Sequence, residues 1–150
     1  YTERKLRRTI DDLSGHAIDL FLSFQMMEHL TDPTRFLHKL ATSNNAKHLL
    51  MTVPYRRVSR VGFLELRGNI PLPVRMTAED VHIFELSPED WLLLARFAGW
   101  SPVFTRTYLQ YPRRSPLRMM ASVWDKLDFE GFWCVFLSRD LTVAERYADW

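Results

Sequence analysis

The apolar positions change period several times along the chain. Leu6, Ile10 and Leu13 recur at helical spacing in YTERKLRRTIDDL, with Thr2 a candidate N-cap, and predict a short helix. From Ile18 to Phe24 the run is apolar except for Asp19 and Ser23, the pattern of a strand buried in a parallel sheet. TDPTRFLHKLATSNN returns to a period of 3.6. Asp32 stands at the N-cap, Pro33 occupies the first turn, and Phe36, Leu37 and Leu40 form the apolar stripe. KHLLMTVP reads as a second buried strand, stopped by Pro54. In LSPEDWLLLARFAGW, Ser87 caps a helix, Pro88, Glu89 and Asp90 fill its first turn, and Gly99 closes it. SPVFTRTYLQYP alternates as a third strand. RMMASVWDKL reads as a helical or irregular link to a fourth strand, GFWCVFLSRD, and the last ten residues as a polar tail.

Strand, helix, strand, long loop, helix, strand, link, strand is an α/β order, with a parallel sheet and helices on its faces. Such sheets bind ligands beyond the carboxyl ends of their strands. Glu28 and His29 fall a few residues past the first strand, on that edge. Residues 55–81 carry arginines, Gly62, Gly68 and the IPLP segment, without a clear period. A stretch of this length inside a compact domain is usually functional.

Composition narrows the classes. The 150 residues suffice for one domain with a core, and 47% hydrophobic content is that of an ordinary globular protein. Twenty basic against 18 acidic residues give a net charge of +2, so global charge does not point to nucleic acid. Arginines bunch at Arg4, Arg7 and Arg8, at Arg56, Arg57 and Arg60, and at Arg113, Arg114 and Arg118. These bunches lack the aromatic interleaving of a nucleic-acid groove, which favours a small-molecule substrate. Cys134 is the single cysteine, which excludes an intrachain disulfide and fits a reducing, cytoplasmic compartment. It is expected to be a small core residue. No apolar stretch approaches the length of a membrane span.

IDLFLSFQMMEHLTDPTRFLHKL, LLMTVP and HIFELSPEDWLLLARFAGW, in that order, resemble the second half of a class I S-adenosylmethionine-dependent methyltransferase, over roughly residues 15–140. The resemblance implies a Rossmann-like sheet, mostly parallel with an antiparallel last strand. It implies strands four to seven of the family pattern, in a single partial domain over 1–150 with a substrate-lid insertion at 55–81. The family's strand with a glycine-rich turn should lie upstream: the five glycines form no G-x-G, and the chain opens on Tyr1 already in helix-like sequence. A piece of a longer protein is expected, inactive alone.

The same resemblance implies S-adenosylmethionine as cofactor. Ser23, Phe24, Gln25 and Glu28 would meet its methionine end, and Asp11 and Asp12 its adenine side. His29 and His82 become candidate catalytic residues, since an imidazole titrates near working pH. Tyr55, Arg56, Arg57 and Phe63 are candidate substrate contacts, the arginines suited to phosphate or carboxylate.

Two expectations compete at Glu28 and His29. In the first they open a short helix and bond to backbone or to the adjoining loop, with no metal. In the second, Glu28, His29 and His82 bind a divalent cation, as in the small-RNA 2′-O-methyltransferases, which these residues also resemble. There Gln25 stands where those enzymes have a first carboxylate, one negative charge fewer for a hard dication. A non-catalytic, methyltransferase-like interaction module, self-associating through an uncovered sheet edge, is the alternative from another class.

Overall fold

The computed structural model of the chain describes residues 16, 18–43, 46–62, 81–109, 119 and 131–147. The expected first helix, Asp11, Asp12, Phe63 and most of the 110–130 link lie outside the described residues.

Strand β1 (Leu20–Phe24) ends in a single 3-10 turn (Met27–His29), and helix α1 (Pro33–Ser43) follows. Asp32 Oδ1 accepts from the Arg35 N–H at 3.0 Å, the cap expected there. Strand β2 (His48–Pro54) comes next, then the short strands β3 (Arg60–Val61) and β4 (Phe84–Glu85). Helix α2 (Pro88–Phe97) is capped by Ser87, whose hydroxyl accepts from the Asp90 N–H at 3.3 Å. Strands β5 (Trp100–Leu109) and β6 (Gly131–Arg139) complete the set, with a 3-10 turn at Ala144–Arg146.

The main sheet has the order β1-β2-β6-β5. β1 runs parallel to β2, while β6 lies antiparallel to both β2 and β5. Three strands therefore share one direction and only the last opposes them, as expected. β3 and β4 form a separate two-stranded ribbon.

One face of the sheet carries the core. Leu49, Met51 and Val53 of β2 and Trp133, Val135 and Leu137 of β6 are buried with Leu37, Leu40 and Ala41 of α1 and with Trp91 and Ala95 of α2. The period-2 alternation of β6 puts its odd-numbered residues on this face. Trp100 is wholly buried, and its indole N–H donates to the Leu37 carbonyl at 2.9 Å, tying β5 to α1.

The opposite face departs from expectation. β1 was expected to be buried on both sides, yet Leu20, Leu22 and Phe24 are 44%, 58% and 56% exposed. Both helices pack on the other face, so among the described residues nothing covers this row. Phe104, Phe136 and His48 stack across the same face. Cys134 shares it, half-buried rather than in the core, its thiol pKa raised by burial. The polar tail is not wholly polar, since Ala144 is buried, and just before it the Asp140 N–H donates to the Gly99 carbonyl at 2.8 Å.

Candidate functional site

The carboxyl ends of β1 and β2 and the start of β6 lie at one edge of the sheet. A cavity of about 330 Å³ opens there, lined by Gln25, Pro54, Tyr55, Arg56, His82, Glu85, Gly131 and Phe132. Gln25 is the pivot between β1 and the 3-10 turn. Its φ of 49° is left-handed, a conformation that costs a non-glycine residue roughly 1–2 kcal/mol. The surroundings hold it there. Its N–H donates to the Thr52 carbonyl at 2.9 Å, and its side-chain amide donates to the Thr52 hydroxyl at 3.2 Å.

The pivot throws Glu28 inward. Glu28 is fully buried and neither carboxylate oxygen has a hydrogen-bond partner. Burial pushes its carboxyl up to about 7, and the Glu85 charge adds to the rise, while its own backbone N–H pulls the other way.

Next to it, His29 donates from Nδ1 to the Val81 carbonyl at 2.9 Å, a bond that fixes its tautomer. Its Nε2 lies 3.9 Å from Glu28 Oε1. The Ile83 N–H donates to the Glu28 carbonyl at 2.7 Å, so the loop before β4 is stitched to the turn after β1. That stitching brings the His82 ring edge-on to His29, with centroids 4.7 Å apart.

His82 Nδ1 meets Glu85 Oε1 at 2.8 Å. Glu85 is buried and ion-paired with Arg56 at 3.2 Å and with Arg60. Burial alone would raise its pKa, but the bonds from Arg60, His82 and Arg56 outweigh it and hold the carboxyl at about 2. Two buried acids thus sit near each other in opposite states: Glu85 ionised and paired, Glu28 unpaired.

The structure brings together Gln25, Glu28, His29, Tyr55, Arg56 and His82 from the residues singled out in the sequence. It does not gather them all. Ser23 points into the core face and is buried, Phe24 points away from it and is exposed, and Arg57 is exposed and outside the cavity wall. Asp19 pairs with Lys47 at 2.9 Å on the surface. Glu85 and Arg60 were not among the site residues expected from the sequence, although Arg60 was noted in its arginine bunch. Glu85 lies inside the apolar FEL triplet, where an acid needs partners when buried, and that was the available signal.

The fold recurs in solved structures. The fold is that of the S-adenosylmethionine-dependent methyltransferases. The S-adenosylmethionine-dependent methyltransferase from Mesorhizobium loti matches at 13% identity with a TM-score of 0.50, over 92% of this chain and 77% of that one. A chain from the complex of the Haloferax volcanii Trm112 methyltransferase activator with a methyltransferase matches at 14% identity and TM-score 0.50, over 83% of this chain and 54% of that one. The cyclase SpnF matches at 13% identity and TM-score 0.51, over 83% of this chain. The chain spans 51% of SpnF, about half its length. SpnF is a cyclase, so this methyltransferase fold supports more than one chemistry and the likeness speaks for architecture alone. No family model and no curated protein matches the sequence. Among the described residues, no helix is long and apolar enough to cross a membrane.

Proposed function

We propose that the chain is the C-terminal part of a methyltransferase that moves a methyl group from S-adenosylmethionine to an oxygen, nitrogen or carbon atom of a small molecule. The observation that carries this reading is the cavity at the carboxyl edge of a methyltransferase-type sheet, with imidazole, guanidinium, amide and aromatic groups converging on it. The methionine end of the cofactor lies against Gln25 and the backbone of the β1 end from Ser23 to Glu28, and the acceptor against Tyr55 and Arg56, with Arg57 and Phe63 kept as candidate substrate contacts. Displacement at the methyl carbon is in line, so most of the catalysis is positioning. Gln25 and Arg56, held by Thr52 and Glu85, are suited to that. His29 and His82 handle the acceptor's proton. Residues 55–81 serve as the lid, and Asp11 and Asp12 contribute on the adenine side.

The test is the coding sequence upstream of Tyr1 together with calorimetry on the protein it encodes. An upstream apolar strand, G-x-G turn and acidic strand end, with saturable S-adenosylhomocysteine binding weakened by Gln25→Ala, supports the reading. A longer protein with no affinity for S-adenosylhomocysteine overturns it.

A second reading is favoured by one observation, the exposed row Leu20, Leu22 and Phe24. In it the domain is a non-catalytic module that self-associates through the β1 edge and the face beside it.

A further inference from the structure

We propose that the cavity takes a flat aromatic molecule of one or two rings as its acceptor, held against Tyr55 and Phe132. The acceptor role rests on the methyltransferase reading. Binding of the ring does not.

The cavity wraps the end of a strand pair. Pro54 of β2 and Phe132 of β6 are register partners. Tyr55 and Gly131 come next, and the Tyr55 N–H donates to the Gly131 carbonyl at 2.8 Å. Successive side chains of a strand point to opposite faces. Phe132 therefore lies on the face the helices leave uncovered, whereas Tyr55 packs towards the core. Gly131 adds no side chain beside Tyr55. Two aromatic groups thus border one space from the two sides of the sheet end. Phe132 was not among the site residues expected from the sequence.

Three properties of this space select a ring. The first is its apolar wall, made by Pro54, Tyr55 and Phe132. Aromatic side chains attract other rings through offset or edge contacts, beyond what the buried area contributes. A saturated molecule of the same size gains only the area.

The second is that the wall is set in advance. Phe132 leans on Tyr108, with ring centroids 5.5 Å apart and planes at 36°. Tyr55 is half-buried against the core. Little side-chain freedom is left to lose on binding, and under that condition modest attractions appear as affinity.

The third is size and the placing of polar groups. A dry cavity of about 150 Å³ holds one benzene ring. The volume here is about 330 Å³, room for two fused rings with a substituent. Gln25, Arg56 and His82 also line it. Each is tied to a protein partner, Thr52 for Gln25 and Glu85 for the other two. An apolar body with a polar substituent matches fixed polar groups set among apolar walls.

The experiment compares 2-naphthol, two fused rings with one hydroxyl, with its saturated counterpart decahydro-2-naphthol. Each is titrated into the 150-residue chain and followed by ligand-observed NMR. One 2-naphthol per chain is expected, bound about fivefold or more tightly than the saturated compound. Phe132→Leu and Tyr55→Leu keep apolar bulk but lose the ring. Each should weaken 2-naphthol roughly threefold to tenfold and leave decahydro-2-naphthol unchanged. Leu20→Lys and Leu22→Lys, on the exposed row of β1, should alter neither, which separates the cavity from that surface. Absence of saturable binding, equal affinity for the two compounds, or full 2-naphthol affinity in both leucine variants overturns the site. The comparison of the two compounds on the unaltered chain decides the matter if a variant fails to fold. S-adenosylhomocysteine is titrated in parallel into the longer protein. Its binding without 2-naphthol binding would sink the aromatic site and leave the methyltransferase reading standing, and 2-naphthol binding without it would do the reverse.

Discussion

Glu28 is the residue at which folding and function pull apart. Its carboxyl is buried with no hydrogen-bond partner on any other residue, and its own backbone N–H only partly offsets the burial, which destabilises the fold whenever the acid is charged. The folded value of about 7 stands above the ordinary 4.5, so the cost is absent below 4.5, grows as pH rises, and is complete above about 7. Glu28→Gln, studied by urea unfolding in the presence of chelator, should therefore stabilise the protein by about 1–2 kcal/mol at pH 8 and by almost nothing at pH 4. Equal stability of the two proteins at pH 8 would mean that the carboxylate has a partner in solution. Active and binding sites are where such destabilising groups are retained. Glu28 and His29 were legible in the sequence because they follow a strand end in an α/β order. Glu85 was not, because its role depends on Arg56, Arg60 and His82 folding back onto it.

At the scale of elements, the helices were the most legible parts, since Asp32 and Ser87 cap α1 and α2 as their spacing suggests. Gly99 shows why α2 must end where it does. Its φ of +95° is one that L residues rarely adopt, and an added Cβ would come within 2.7 Å of Leu141 Cδ2 and 3.2 Å of Ala41 Cβ. The glycine thus lets the C-terminal turn pack against α1. Gly99→Ala is expected to cost about 2–4 kcal/mol, from the backbone and from overpacking together. Differential scanning calorimetry should show this as a fall in Tm of roughly 5–12 °C. An unchanged Tm would place the 141–147 turn elsewhere in solution. The ribbon of β3 and β4 was not legible. Two residues per strand leave no period to read, and pairing across a gap of more than twenty residues is decided by tertiary contacts.

At the scale of the whole molecule, the sheet is two-sided in chemistry and one-sided in cover among the described residues. Leu20, Leu22 and Phe24 line up on one side of β1, beside His48, Leu50 and Thr52 of β2. A row of exposed apolar side chains on an edge strand promotes association. Sedimentation velocity should show concentration-dependent self-association of the 150-residue chain. The double substitution Leu22→Lys and Phe24→Lys should shift it towards monomer without altering its circular dichroism. A chain that stays monomeric at all concentrations would count against the interaction-module reading.

The sequence by itself determined the α/β order, both helix caps, the strand cores and the edge of the sheet on which Glu28 and His29 lie. These rest on local rules: side-chain period, capping chemistry and the conformational limits of proline and glycine. Only the tertiary structure decided which face of β1 is exposed, that Glu28 is buried with no partner on another residue, and that His82 joins His29 beside it. Those facts depend on which distant segments meet, and a buried group's state follows from its neighbours in space rather than in sequence.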